Sequence, residues 1–218
     1  MYLLALGIGL GPVFNAAGKG NYIQFISPGM IAMTILFSSI YSGIGLLWDR
    51  QFGFLKETLV APVPRLQVMI GRISGTATVA VLQGLLVAVL CIMTGFRLKS
   101  IATIPIAVLF MVLTACAFSA LGTAIGSMLK DMQGFQFIAN FLVTPIFFLS
   151  GALYPLSNLP KAFSLVTHIN PLSYGVDGIR MALVGTSYFG IGNDGLVLAG
   201  CSIIFLIISS YVFSRLEA

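Results

Sequence analysis

An all-α integral membrane fold, a six-span helical bundle, is what this sequence predicts, and three observations predict it. The 218 residues are 58% hydrophobic and only 8% charged, with a mean hydropathy of +1.05, more apolar surface than one water-soluble core can hide. Uncharged stretches long enough to cross about 30 Å of hydrocarbon recur at 27–47, 73–96, 101–129, 133–153 and 195–214. The charged residues gather between those stretches, most densely at 48–72, which reads WDRQFGFLKETLVAPVPRLQVMIGR.

The opening run 1–14 is apolar, too short to cross comfortably, and has no Lys or Arg before it. It reads as the outer part of a truncated first span, not as a secretory signal with its positive start. The span at 27–47 follows, and then the polar island. Within the island Phe52, Leu55 and Leu59 recur at i, i+3 and i+7, so they share one face of a short helix lying along the membrane surface while Lys56 and Glu57 face elsewhere. Pro62 and Pro64 end that helix, since each lacks an N–H and disfavours a helical residue before it. The next span restarts near Leu66. Spans at 73–96 and 101–129 follow, joined by Arg97 to Ser100, and the turn Lys130–Asp131 leads into 133–153.

The stretch 154–194 carries Pro155, Pro160 and Pro171 and alternates short apolar runs with polar breaks. Its pieces 156–169 and 172–184 are too short to span, and read as external interfacial or re-entrant helices that turn at Asn170–Pro171. Asp177 and Arg180 stand three apart, a spacing that lets them pair on one helical face. The last span is 195–214. The whole chain, 1–218, is one membrane domain.

With six spans the loops at 48–72, 130–131 and 215–218 share a side. That side holds six Lys and Arg (Arg50, Lys56, Arg65, Arg72, Lys130, Arg215) against five opposite (Lys19, Arg97, Lys99, Lys161, Arg180). The count barely decides, and the crowding of four cations into 48–72 makes that side the cytosolic one. The net charge of +5 is spread over span ends, which suits orientation in a membrane and not nucleic acid. Cys91, Cys116 and Cys201 lie in apolar runs without CxxC spacing, so neither a disulfide frame nor a metal site is expected.

Polar residues inside the spans are few. Gln136, Asn140 and Thr144 stand four apart on one stripe of the fifth span, and Thr34, Ser38 and Tyr41 make a milder stripe on the second. An amide in hydrocarbon needs a partner, so these stripes face either neighbouring helices or a hydrated substrate path. Gly71/Gly75 and Gly122/Gly126 have the GxxxG spacing of close helix contact, and Pro145 is a candidate hinge. An intramembrane enzyme would need clustered acids or histidines, whereas the sole histidine, His168, falls near the boundary, and no catalytic residue is expected. An ion-coupled carrier or channel is the alternative reading, although such proteins generally keep ionisable groups at mid-membrane.

Asp49-Arg50-Gln51-Phe52-Gly53, Leu55, Glu57 and Ala61-Pro62-Val63-Pro64-Arg65, followed late in the chain by Phe148-Leu149-Ser150-Gly151-Ala152-Leu153-Tyr154-Pro155 and Asn170-Pro171-Leu172, resemble the ABC-2 family of ATP-binding-cassette transporter permeases, in flavour closest to daunorubicin-resistance-type exporters. The resemblance covers the whole chain, apart from the N-terminal cytosolic arm usual in the family. It implies a prokaryotic inner (plasma) membrane subunit for efflux of an amphipathic drug, lipid or glycolipid. It also implies a dimer with a second copy or a paralogous permease, resting on a separate ATPase subunit. Arg50, Phe52, Gly53, Leu55, Lys56, Glu57, Pro62 and Arg65 would form the ATPase-coupling element, and Gly151, Tyr154, Pro155, Asn170 and Pro171 an external gate. No GxxxxGK[ST] loop is present, so ATP and Mg would be bound by the partner and no cofactor by this chain.

Overall fold

The computed structural model describes residues 9, 21–54, 62–156 and 161–215. Among them every regular element is helical: α1 (Tyr22–Tyr41), α2 (Ile44–Gln51), α3 (Arg65–Met93), a 3-10 turn (Ile101–Thr103), α4 (Ile104–Met128), α5 (Met132–Phe148), α6 (Lys161–Ile169), α7 (Pro171–Leu183) and α8 (Ile191–Ser214). Four segments are long and apolar enough to cross a membrane: α1 with α2, α3, the 3-10 turn with α4, and α8; α5 is a shorter apolar helix. The expected span at 1–14 lies outside the described residues except for Gly9.

Local chemistry sets the helix starts. The side chains of Asn21, Asp131 and Asn170 each accept a backbone N–H in the first turn of α1, α5 and α7, satisfying donors that a helix start leaves open. α4 is the centre of the bundle, packed by α1, α3, α7 and α8. Its buried face is rich in small residues, among them Ala115, Ala117, Ser119, Ala120 and Ala124. At the inner end Gly122 and Gly126 meet the backbone of Ile40 to Gly43, so a methyl group on Gly122 would stand 2.5 Å from the Ile40 carbonyl oxygen. This contact falls at the Ser42–Gly43 turn that separates α1 from α2. The other GxxxG pair behaves differently: Gly71 and Gly75 are exposed, with nothing within 4 Å of an added methyl.

Several boundaries depart from the uncharged runs: α1 starts at Tyr22 and gives way to α2 at the Ser42–Gly43 turn, and α8 starts at Ile191. α3 begins at Arg65, two turns before 73, because Met69 and Ile73 already pack into an inner cluster with Leu46, Ala120 and Phe213 while Arg65 stays exposed. α5 stops at Phe148 and not at 153, because Gly151 takes φ +72 and reverses the chain. The two short helices expected in 154–194 are α6 and α7. α7 is buried along nearly its whole length against α1, α4 and α8, so protein and not lipid surrounds it.

Candidate functional site

Three regions gather the residues singled out by sequence. The first is the groove between α1 and α5. Phe135, Ala139, Val143 and Phe147 form the buried stripe of α5. Gln136, Asn140 and Thr144 each stand one residue on, which turns them about 100° away, and all three are exposed in this chain. The Tyr41 hydroxyl donates to Asn140 Oδ1 at 2.6 Å. On α1, Thr34, Ser38 and Tyr41 are half-buried, Thr34 and Ser38 are not among the residues that line the groove, and the Thr34 hydroxyl donates to the Met30 carbonyl of its own helix at 3.0 Å. Met30, Met33 and Phe37 line one wall, with Thr144, Phe147, Phe148 and Leu153 opposite. Sequence reasoning passed over Met30, Met33 and Phe37, although their i, i+3, i+7 spacing puts them on one face. Phe37 stacks on Tyr41 with centroids 6.0 Å apart.

The second region is the elbow between α2 and α3, at the end of the bundle that the charge distribution assigns to the inner side. Arg72 Nη1 donates to Asp49 Oδ2 at 2.5 Å, and Arg50 Nη1 donates to the Leu129 carbonyl at 3.3 Å, at the turn from α4 to α5. Arg65 Nη1 donates to the Ser214 carbonyl at 2.6 Å. Trp48 and Phe52 stack at 5.3 Å, and both are exposed, as are Phe54 and Pro62. Gly53 takes φ +83, a left-handed conformation that glycine tolerates. Leu55, Lys56 and Glu57 lie outside the described residues.

The third is the outer turn. The Tyr154 hydroxyl donates to the Phe148 carbonyl at 2.7 Å. Asn170 is buried and works in both directions: its Oδ1 accepts from Leu172 N at 3.0 Å, while its Nδ2 donates to the Ile146 carbonyl at 2.7 Å. Pro171 occupies the opening turn of α7, where its missing N–H costs nothing. Pro155 borders a small outer recess with Phe25 and Arg180. Arg180 Nη2 donates to the Gly151 carbonyl at 3.0 Å, and the guanidinium lies 4.3 Å from the Phe25 ring centroid. Burial lowers the Arg180 pKa to about 10, against a smaller raising effect of Asp177, so the group stays charged at neutral pH.

The ion pair expected between Asp177 and Arg180 does not form. Asp177 instead accepts from Ser187 Oγ at 2.8 Å, Tyr188 N at 2.8 Å and Phe189 N at 2.9 Å. Backbone N–H groups of the following loop reach it, and the Gly151 carbonyl takes the arginine. His168 is exposed with Nδ1 2.6 Å from the Ser164 carbonyl oxygen. Among the described residues no three His, Cys, Asp or Glu side chains gather as metal ligands.

Helices α1 to α7 fall within a family match: the model described as "ABC-2 type transporter" matches residues 2–184. The chain belongs to the ABC-2 type transporter family. It is 29% identical over 196 residues to Nodulation protein J of Rhizobium meliloti, covering 88% of this chain and 73% of that protein. Nodulation protein J of Rhizobium leguminosarum bv. trifolii is 30% identical over 192 residues, covering 85% and 71%. The inner membrane transport permease YadH of Escherichia coli K12 is 28% identical over 187 residues, covering 85% and 72%. The chain is therefore a multi-pass membrane transport subunit of the ABC-2 permease family, whose members generally work with an ATPase subunit.

Proposed function

We propose that this ABC-2 subunit is the permease half of an ATP-driven exporter in the plasma membrane of a prokaryote, and that substrate passes along the α1–α5 groove between two copies of the chain or a copy and a paralogue. The observation that carries this reading is the exposure of Gln136, Asn140 and Thr144 beside Phe137 and Phe141, which are 74% and 76% exposed. Amides facing bare hydrocarbon are costly, so that face of α5 belongs against another protein surface or a hydrated path. Its mix of methionine, aromatic rings and a few neutral polar groups suits an amphipathic drug, lipid or glycolipid.

Energy enters at the inner elbow. Arg50, Phe52, Gly53, Leu55, Lys56, Glu57, Pro62 and Arg65 contact a separate ATPase subunit that binds ATP and Mg. The stacked Trp48–Phe52 pair supplies exposed apolar area for that contact, and the charges form its rim. At the outer end Gly151, Tyr154, Pro155, Asn170 and Pro171 close the path.

The test is Asn140→Cys in a chain whose three native cysteines are replaced, labelled in membranes with a water-soluble thiol reagent. Labelling that competes with transported substrate is expected. A position inert to the reagent, together with unchanged transport by Asn140→Leu at reduced thermal stability, would make the stripe a packing feature and remove the path from this groove.

A further inference from the structure

The first turn of α8 holds a carboxyl group that nothing serves. Asp194 is 0% exposed and precedes the apolar stretch that begins at Gly195. Neither of its oxygens has a hydrogen-bond partner. The Asp177 carboxyl, itself only 2% exposed, stands within hydrogen-bonding reach. The two acids are unequally provided for. Asp177 receives donors from Ser187, Tyr188 and Phe189, the arrangement that stabilises an ionised carboxylate. Asp194 receives none, and an ionised carboxylate without donors, buried beside another, is the costliest arrangement available.

Among the described residues no cation forms an ion pair with Asp194. α1 and α4 contain no ionisable acid or base apart from tyrosine and cysteine. Burial first, and then the nearby Asp194 carboxyl, raise the pKa of Tyr174 on α7. The histidine of α6, His168, stands edge-on to Phe189 with its Nδ1 at the Ser164 carbonyl. Arg180, whose charge acts on Asp177, donates through Nη2 to the Gly151 carbonyl and lies over the Phe25 ring, while its buried Nε has no hydrogen-bond partner; Lys99 lies against Gly185. A metal ion would need several free oxygens, whereas those of Asp177 are taken and no third ligand of the usual kinds gathers here among the described residues. A proton needs only one acceptor.

We propose that Asp194 and Asp177 share a single proton, held on Asp194 and donated as O–H to Asp177, and that this proton latches the outer end of α8 onto α7. Asp177 already gathers the α7–α8 loop through Tyr188 and Phe189, so the shared proton secures the loop and the helix that follows it at one point. Removing the proton to solvent leaves two like charges in a dry contact, which drives the first turn of α8 away from α7.

The experiment uses the full chain in lipid nanodiscs. Infrared difference spectra of wild type against Asp194→Asn should show a protonated-carboxyl C=O band at neutral pH that the variant lacks. Thermal stability should fall for wild type from mildly acidic to mildly alkaline buffer and stay level for Asp194→Asn, whose amide still donates to Asp177. Asp194→Ala should unfold at lower temperature than Asp194→Asn, because it removes the donor. Absence of the acid band at neutral pH, a variant Asp194→Asn as unstable as Asp194→Ala, or wild-type stability that a divalent-cation chelator abolishes would each overturn the shared proton.

Discussion

Replacing Asn170 separates two bonds that one side chain makes. Its Oδ1 caps α7 through Leu172 N, and its Nδ2 holds the Ile146 carbonyl near the end of α5. Loss of a helix cap costs about 1 kcal/mol, and leaving a buried carbonyl without its donor costs about 1–3 kcal/mol. Asn170→Ala should therefore destabilise by about 2–4 kcal/mol. Asn170→Asp keeps the cap acceptor but turns an oxygen toward the Ile146 carbonyl, so it should fall at least as far. Asn170→Ser, which caps but is too short to reach α5, should lose only the tie, about 1–3 kcal/mol. The assay is thermal unfolding of the purified chain in nanodiscs, with the three variants ranked in one lipid. A Ser variant as weak as Ala, or an Ala variant within about 0.5 kcal/mol of wild type, would refute the two-bond account.

The two GxxxG pairs should part company. Gly122→Ala is expected to cost about 1–3 kcal/mol by forcing α4 from α1, while Gly75→Ala should change stability by less than about 1 kcal/mol, both read by thermal unfolding. At the elbow, Glu57→Gln and Gly53→Ala should lower transport per ATP hydrolysed in the reconstituted complex while leaving the subunit in the membrane; full coupling in both would sink the elbow's role. The purified chain alone should hydrolyse no ATP, as a phosphate-release assay would show.

How much of this was legible beforehand depended on the physics each signal reports. An uncharged run of about 20 residues locates hydrocarbon, and it located α4 and α8 to within a turn because charges stand near their ends, but it missed the start of α1 at Tyr22 and its break before α2. For α3 the run alone points to 73, and it was Pro62 and Pro64 that placed the restart near Leu66, one residue from the helix start; Arg65 and Arg72 are helical yet keep their heads at the surface, Arg65 on the Ser214 carbonyl and Arg72 on Asp49. The uncharged run also passed the end of α5, because Leu149 to Leu153 is uncharged without being helical. The clue there was Gly151, whose positive φ ends the helix. The Asp177–Arg180 spacing was visible, but the backbone groups that draw the pair apart, Tyr188 N, Phe189 N and the Gly151 carbonyl, leave no trace in side-chain letters. Asp194 read as a loop acid at the foot of a span. Only the fold shows it buried.

The distribution of ties along α5 indicates how a push at the elbow would travel. α4 is gripped by α1, α3, α7 and α8, whereas α5 packs mainly on α1 and touches α4 little. α5 is held at its inner end through the Leu129 carbonyl that Arg50 engages, and at its outer end through the Ile146 carbonyl that Asn170 engages. Between them stands the Tyr41–Asn140 bond, exposed on the surface of this chain. Under the coupling proposed above, a displacement of α2 would act through Arg50 on the turn that begins α5, with Asn170 as the fixed point. The outer anchor is buried and the middle bond is not, so water can replace the Tyr41 hydroxyl at Asn140 at little net cost. On the proposed coupling, the first contact to open would be the Tyr41–Asn140 bond, with α5 tilting from α1 at that level.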